Sequence, residues 1–201
     1  MKLAIVLTEG FADWECALLM ASGRSHYGFE IVTASPGGKP VMSMGGLKVS
    51  PDRPVETLEA GAFDCLVLCG GETWENSETA PDLSPLLRSF HEHGRVVGGI
   101  CAATLALAGA GLLNTVSHTS NERDFLKTTP AYTGASHYRS VPYAVRDGQI
   151  VTAPGTAPVT FAAEIYRALG LASRELDHYV RLFGAEHIRM QNHSTDGMAS
   201  A

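Results

Sequence analysis

Four short apolar runs, separated by longer segments with helical patterns, constrain the fold more than any other feature of this sequence. The runs KLAIVLT, FEIVTAS, FDCLVLCGG and RVVGGI span residues 2–8, 29–35, 63–71 and 95–100. A run that is apolar at both odd and even positions is typical of a parallel strand that helices cover on both faces. Residues 14–27 and 85–94 lie between such runs and have the length and pattern of helices. The sequence therefore predicts strands that alternate with helices.

The remaining segments complete the same architecture. Residues 36–52 are rich in Gly and Pro and predict turns or a small β-ribbon, and residues 144–154 contain an Asp-Gly turn that predicts a hairpin. Helical patterns follow at 157–170 and 173–184, the second with Ser173 as its cap. This alternation favours a three-layer α/β/α sandwich with a mostly parallel central sheet. In such a sheet the ligand site lies at the carboxyl ends of the strands.

Length and composition fit one domain with a short tail. The chain has 201 residues, of which 45% are hydrophobic and 18% are charged, so it can bury a sizeable core. We expect residues 1–190 to form this single domain. Residues 191–201 have no apolar periodicity and predict a disordered tail.

The charge and the apolar runs exclude several kinds of partner. A net charge of -6 leaves no basic surface for nucleic acid or for an anionic membrane. The N-terminal apolar run is too short for a signal peptide, and no run approaches the roughly 18 residues of a membrane span. We therefore predict a cytoplasmic protein that acts on a small molecule, with no nucleic-acid or membrane partner.

Three of the four cysteines predict packing rather than chemistry. Cys65 and Cys69 would lie about 13 Å apart on one face of a predicted strand, whereas a disulfide needs Cα atoms within about 7 Å. No CxxC pair is present, so the sequence does not predict a zinc site. We interpret Cys16, Cys65 and Cys69 as small buried hydrophobes. No metal and no cofactor are expected.

The fourth cysteine, Cys101, stands at a strand-to-helix turn in VVGGICAAT. A strand, a cysteine and a helix of small residues follow one another as in a nucleophile elbow, where Gly98, Gly99 and Ala103 let the backbone bend sharply. A cysteine at a helix N-terminus is expected to favour the thiolate, which is the nucleophilic form. The alternative interpretation is a buried cysteine at the end of a core strand.

Two neighbouring strand ends offer groups that would assist this cysteine. In CGGE, Gly70 and Gly71 free backbone N–H groups that would form an oxyanion hole with the amide of Ala102. In GFADWE, Glu15 begins the first helix, just after Asp13 as the predicted cap. A protonated Glu15 would donate a hydrogen bond to the thiolate or relay a proton to substrate. The alternatives are a simple glycine turn and a favourable charge in the first helical turn.

The sequence offers two candidates for a histidine partner of the cysteine. His118, in SHTSN, follows the elbow helix where the chain would return over the sulfur, and it is the first candidate. His137, in GASHYRS, is the second candidate. The other histidines fall in surface helices, helix ends or the tail, namely His26, His91, His93, His178, His187 and His193.

Taken together, these motifs resemble the ThiJ/PfpI superfamily, relatives of the class I glutamine amidotransferases. The resemblance covers about residues 1–170 and rests on GFADWE, LCGG, GGICAAT, HTSN and VTAPGTAP in this order. It implies a flavodoxin-like or glutamine amidotransferase-like fold and a homodimer. It also implies a nucleophile, its protonated carboxyl partner and a set of anion-stabilising amides, namely Cys101, Glu15, and the amides near Gly70, Gly71 and Ala102.

Three departures from the family pattern narrow the expected chemistry. Ala102 stands where the protease-like branch has a histidine directly after the cysteine. Asn121 stands where another branch has a histidine, with His118 three residues earlier. No His-x-Glu pair follows the cysteine, so a glutaminase-type triad is not expected. The sequence therefore favours a Cys101–Glu15 dyad.

The resemblance and the dyad predict a cofactor-free cysteine hydrolase or lyase that acts on a small electrophile, such as a reactive aldehyde, an amide or an isonitrile. Family members include glyoxalase- and deglycase-like enzymes, isonitrile hydratases, chaperones and oxidative-stress sensors. The main alternative is a non-enzymatic sensor or stress-response protein whose cysteine oxidises to the sulfinate. The sensory domain of a transcription regulator is a third possibility, which the acidic charge disfavours.

Overall fold

The computed structural model describes residues 1–76 and 78–196, with residues 186–196 described by their backbone alone. Its strands are β1 (Lys2–Val6), β2 (Glu30–Ser35), β3 (Val41–Met42), β4 (Lys48–Val49), β5 (Arg53–Pro54), β6 (Cys65–Leu68), β7 (Val96–Ile100), β8 (Val145–Asp147) and β9 (Ile150–Ala153). Its helices are α1 (Asp13–Tyr27), α2 (Ser84–Glu92), α3 (Thr104–Gly109), α4 (Arg123–Leu126), α5 (Pro158–Ala168) and α6 (Arg174–Asp196).

One central sheet has the strand order β5-β2-β1-β6-β7-β9-β8. Its neighbours pair in parallel except for β8 and β9, which form an antiparallel hairpin. The predicted mostly parallel sheet, its single domain and the predicted hairpin are confirmed. The ribbon expected within 36–52 is the antiparallel pair β3–β4. Strand order reverses between β1 and β6, so these two strand ends form the topological switch point of the sheet.

Helices cover both faces of this sheet, as the doubly apolar strands require. Along β1, Leu3 and Ile5 pack beneath α1, α5 and α6, whereas Ala4 and Val6 pack beneath α2 and α3. Each fully buried Leu or Ile contributes about 1.5–3 kcal/mol through removal of apolar surface from water. The central strands are therefore a rigid base for whatever their carboxyl ends carry.

Two glycines of β7 let helices approach this strand closely from both sides. A Cβ at Gly98 would lie 2.7 Å from Ile165 of α5, and one at Gly99 would lie 2.8 Å from Leu107 of α3. Side chains at these positions would push the helices away from the sheet. The close packing fixes the strand that leads directly into Cys101.

Helix α1 begins in a way that the sequence does not predict. Ala12, not Asp13, occupies the N-cap position, and no side chain caps the helix there. The Asp13 carboxylate instead accepts hydrogen bonds from the Ser43 hydroxyl and, at 2.8 Å, from the Gly45 amide. Asp13 therefore ties the β3–β4 ribbon to the start of α1, because the ribbon supplies donors that compete with the helix's own first amides.

The last helix extends beyond the predicted domain boundary at residue 190. It begins as predicted, since the Ser173 hydroxyl accepts a hydrogen bond from the Leu176 amide at 3.1 Å. It then runs to Asp196, which includes part of the predicted disordered tail, because extending a helix costs far less than nucleating one. Residues 197–201 lie outside the described residues. None of the described helices has the length and apolar composition needed to cross a membrane.

Candidate active site

Cys101 occupies a sharp left-handed turn at the carboxyl end of β7. Its φ is 58°, the only positive φ at a non-glycine residue in the described part of the chain. Ile100 before it is extended, and a 3-10 turn over Cys101–Ala103 leads into α3. A left-handed conformation costs a residue with a Cβ about 1–2 kcal/mol, so packing must hold it in place. The Thr104 hydroxyl helps by donating a hydrogen bond to the Cys101 carbonyl at 2.6 Å.

Glu15 is fully buried beside this turn. Its Oε2 accepts a hydrogen bond from the Gly70 amide at 2.7 Å, whereas its Oε1 has no hydrogen-bond partner among the described residues. A Cβ built on Gly155 would lie 2.9 Å from both Glu15 Oε1 and Cys101 Sγ, so the two atoms face one point above Gly155. The unpartnered oxygen therefore belongs to the side of the carboxyl that faces the sulfur.

Burial governs the protonation of both groups. It raises the pKa of Glu15 to about 7, although the neighbouring Cys101 side chain and the hydrogen bond from the Gly70 amide lower this pKa in part. Burial also raises the pKa of Cys101 to about 11; the Asn121 amide opposes this shift, and the charge of Glu15 adds to it. The predicted preference for free thiolate is therefore wrong for this environment, because the loss of hydration outweighs the N-terminal end of a short helix.

The two groups consequently hold one proton between them from about pH 7 to about pH 11. With the proton on the sulfur, Glu15 is a carboxylate and Oε1 can accept it. With the proton on Oε1, the carboxyl donates to the thiolate and no longer repels it. Cys101 and Glu15 thus place a thiol beside a carboxyl that can take up its proton.

Asn121 is a second side chain that contacts the Cys101 sulfur. Its Nδ2 donates to Cys101 Sγ at 3.2 Å, and its Oδ1 accepts from the Gly155 amide at 3.0 Å. The Gly155 carbonyl in turn accepts from the Trp14 indole at 2.9 Å. The family resemblance puts Asn121 where one branch of the family has histidine, and it assigns Gly155 no role beyond its place in VTAPGTAP.

The predicted anion-binding amides divide into two kinds. The Ala102 amide lies within hydrogen-bond reach of Cys101 and lowers its pKa, as an anion donor would. The Gly70 amide is already used by Glu15, so its expected role as an anion donor is wrong. No hydrogen bond from the Gly71 amide is found among the described residues, and a Cβ there would lie 2.6 Å from the Gly10 carbonyl. Gly71 and Ala102 are therefore the donors that remain.

His118 does not contact the sulfur, contrary to the prediction. It is fully buried, and its Nδ1 donates to the Val116 carbonyl at 2.8 Å. Its Nε2 therefore accepts from the Tyr132 hydroxyl at 2.7 Å, and burial lowers its pKa. Both ring nitrogens are used, so His118 is a neutral core histidine that anchors the segment carrying Asn121.

His137 is likewise part of this support rather than of the site. Its carbonyl accepts a hydrogen bond from the His118 amide at 3.3 Å. No hydrogen bond joins its ring to Cys101 or Glu15 in the described residues. Nor do these residues contain a group of three or more His, Cys, Asp or Glu side chains that could hold a metal ion.

Comparison with known proteins places this geometry in a family. The model of the "DJ-1/PfpI family" matches residues 1–168. The crystal structure of the DJ-1 superfamily protein Atu0886 from Agrobacterium tumefaciens is 51% identical, with a TM-score of 0.90 over 93% of this chain and 99% of that one. The thiJ/pfpI family protein from Bacillus anthracis is 30% identical, with a TM-score of 0.80 over 95% of each chain. The "Uncharacterized protease YoaZ" of Bacillus subtilis is 34% identical over 84% of this chain and 83% of its own length.

Proposed function

The chain belongs to the DJ-1/PfpI family, and from this premise we propose that it is a cysteine-dependent hydrolase or lyase acting on a small electrophile. The observation that carries the proposal is the sulfur of Cys101, lifted by a left-handed turn into contact with the carboxyl of Glu15 and the amide of Asn121. A nucleophile next to a proton acceptor is the minimal machinery of covalent catalysis. We expect the electrophile to be a reactive aldehyde, an amide or an isonitrile.

The first chemical step would use each group once. The Cys101 sulfur forms a bond to the electrophilic carbon while its proton passes to Glu15 Oε1, which has no other partner. The π electrons of the carbonyl move to its oxygen, where we expect the amides of Gly71 and Ala102 to donate hydrogen bonds. Glu15 then returns the proton to that oxygen. The adduct is therefore neutral, and Glu15 is again a carboxylate.

An aldehyde suits this machinery better than an amide. Addition of a thiol to an aldehyde expels no leaving group, so the single proton held by Cys101 and Glu15 is sufficient. Amide cleavage must also protonate a departing amine, and Ala102 stands where the protease-like branch has its histidine. We therefore rank reactive aldehydes first, and peptide bonds last.

A substrate panel with matched thiol variants tests the proposal. The purified protein is incubated with methylglyoxal, a small amide and an isonitrile, and the loss of each is followed with time. Cys101→Ser is expected to abolish turnover, while Cys65→Ala, which removes a buried thiol at the far end of β6, is expected to retain it. Equal turnover by wild type and Cys101→Ser would refute the proposal.

Oxidation of Cys101 to the sulfinate is the second candidate function, favoured by the unpartnered Oε1 of Glu15. Two equivalents of peroxide would convert the Cys101 thiolate to a sulfinate and two waters, and protonated Oε1 would donate to a sulfinate oxygen. Intact-mass measurement after mild peroxide treatment distinguishes the two. A gain of two oxygens at Cys101, without turnover of any substrate, would favour the sensor.

A further inference from the structure

The side-chain amide of Asn121 can face the Cys101 sulfur in two ways, and only one of them helps the cysteine. With Nδ2 toward the sulfur, as the structure has it, the amide donates a hydrogen bond to Sγ. With Oδ1 in the same place, the amide would present an acceptor and repel a thiolate. The two atoms are nearly equal in size, so packing alone does not choose between them. The contact that orients this amide therefore decides what the sulfur meets.

The anchors of the Asn121 backbone do not orient its amide. The Ser120 hydroxyl forms a hydrogen bond with the Thr104 hydroxyl at 2.7 Å, and the Ser120 carbonyl accepts one from the Tyr138 hydroxyl at 3.2 Å. Both contacts hold the chain just before Asn121 and leave its side chain free to rotate. Asn121 is also exposed, so water competes for both of its amide atoms.

Gly155 makes the contact that orients the amide. A backbone N–H can only donate, and that of Gly155 meets Asn121 Oδ1 at 3.0 Å. With the oxygen held there, Nδ2 is the atom left to face Sγ at 3.2 Å. The orientation of Asn121 therefore depends on where the backbone of Gly155 lies.

Gly155 is held in turn by the indole of Trp14. Nε1 of Trp14 donates to the Gly155 carbonyl at 2.9 Å, and this is the only other hydrogen bond of Gly155 in the described part of the chain. The two bonds hold the peptide groups on either side of its Cα. Gly155 belongs to neither β9 nor α5, and a glycine outside regular structure has wide backbone freedom. Its position therefore depends on these two side chains.

Trp14 is placed for this contact rather than for packing. Its side chain is large and apolar, yet Trp14 is 52% exposed. The next residue of α1, Glu15, is fully buried and faces the same sulfur. The first turn of α1 thus influences Cys101 by two routes, directly through the Glu15 carboxyl and indirectly through the Trp14 indole.

We propose that Trp14 is a positioning residue for Cys101, which keeps the N–H group of the Asn121 amide turned toward the sulfur by holding Gly155. Three hydrogen bonds in series carry the effect, from Trp14 to Gly155, from Gly155 to Asn121, and from Asn121 to Cys101. Bonds linked in this way strengthen one another. Because it concerns the reactivity of Cys101, this role rests on the proposed function.

Removal of the indole donor tests this role without any substrate. Trp14→Phe keeps an aromatic ring but has no N–H group. It is expected to slow alkylation of Cys101 by iodoacetamide about threefold at fixed pH, since one exposed hydrogen bond has a net effect of this size. Tyr143→Phe also removes the polar atom of an aromatic side chain that is 52% exposed, and this matched control is expected to leave the rate unchanged.

A double-mutant cycle shows whether Trp14 acts through the Asn121 amide. In the Asn121→Ala background the amide is absent, so Trp14→Phe is expected to cause no further loss of alkylation rate. A merely structural role would slow alkylation equally in both backgrounds. NMR of the side-chain NH₂ group of Asn121, identified by its absence from Asn121→Ala, gives a direct readout. Its signals are expected to shift in Trp14→Phe and to stay unchanged in Tyr143→Phe.

Three results would each overturn the role of Trp14: unchanged alkylation of Trp14→Phe, equal losses in both backgrounds, or unshifted signals of the Asn121 amide. Failure of the proposed function is a different result. A protein that turns over no substrate would refute that function, while the alkylation rates and the NMR signals would still report whether Trp14 orients Asn121.

Discussion

Cys69 and Cys101 stand at the carboxyl ends of adjacent parallel strands, yet their surroundings differ completely. Cys69 is 1% exposed, and its thiol donates to the Ala12 carbonyl at 3.4 Å. Its hydrogen bond with Cys16, followed by burial, holds its pKa well above the ordinary value. Cys101 is half-buried, with a carboxyl on one side and an amide donor on the other. The backbone turn, not the residue type, separates a packing thiol from the thiol that we propose to be reactive.

The largest effect on turnover is expected from removing the proton acceptor that lies beside Cys101 but not beside Cys69. Glu15→Gln keeps the size of the side chain and an acceptor for the Gly70 amide, but it cannot take a proton. We expect the turnover rate to fall by at least about 100-fold, the usual contribution of a positioned general base. Steady-state kinetics measures this, with Glu59→Gln as an exposed control. An unchanged rate would show that Glu15 contributes to packing and not to proton transfer.

The same substitution should have the opposite effect on stability. Glu15 has a folded-state pKa of about 7 against an ordinary value of 4.5, so the native state binds its proton more tightly than the unfolded state. The contribution of Glu15 to stability is therefore fully present below about pH 4.5, and about 3 kcal/mol of it is lost as pH rises through about 7. Urea unfolding across this range should show the decline in wild type. Glu15→Gln should abolish it, and a decline that persists in the variant would assign it to another group.

Filling the space beside the Cys101 sulfur should also reduce turnover. Gly155→Ala places a Cβ 2.9 Å from Cys101 Sγ, so the dyad must move apart. Overpacking of this kind costs about 1–3 kcal/mol, and we expect about a tenfold loss of turnover with a lower melting temperature. Gly61→Ala, where nothing lies within 4 Å of the added Cβ, is the matched control. Equal kinetics of the two variants would contradict the tight packing of the site.

The smallest expected effect is the loss of the Asn121 amide. Asn121→Ala removes one donor to the sulfur, which should raise the thiol pKa and slow alkylation of Cys101 by iodoacetamide about tenfold. Asn121→His, which restores a ring N–H donor, should recover part of the rate. Alkylation of Cys69 should remain undetectable in both variants. Faster alkylation of the alanine variant would show that Asn121 shields the sulfur rather than activating it.

Local patterns were enough to predict the scaffold, and together with the family resemblance they pointed to Cys101 and Glu15. The doubly apolar runs identified β1, β6 and β7, and the small residues around Cys101 identified the elbow, because both depend on neighbours in the chain. Glu15 followed from its place after β1, since parallel strand ends meet at one edge of a sheet.

The predictions that failed, and the contacts that were not predicted, involve residues that are distant from each other in the sequence. Asp13 binds the β3–β4 ribbon instead of capping α1, and His118 pairs with Tyr132 instead of Cys101. Asn121 and Gly155 meet at the sulfur from loops 34 residues apart. The buried environment of Cys101 also reverses the expected thiol pKa shift, because burial depends on the whole packed site. No local pattern encodes such contacts.

The most direct test of the account is the protonation of Glu15 in the folded protein. The side-chain carboxyl carbons of labelled glutamates are followed by NMR as a function of pH, and Glu15→Gln identifies the Glu15 signal by its absence. Burial of Glu15 beside Cys101 predicts that this signal titrates near pH 7. Titration near the ordinary value of 4.5 would show that Glu15 is already a simple carboxylate at neutral pH and would contradict the shared-proton dyad.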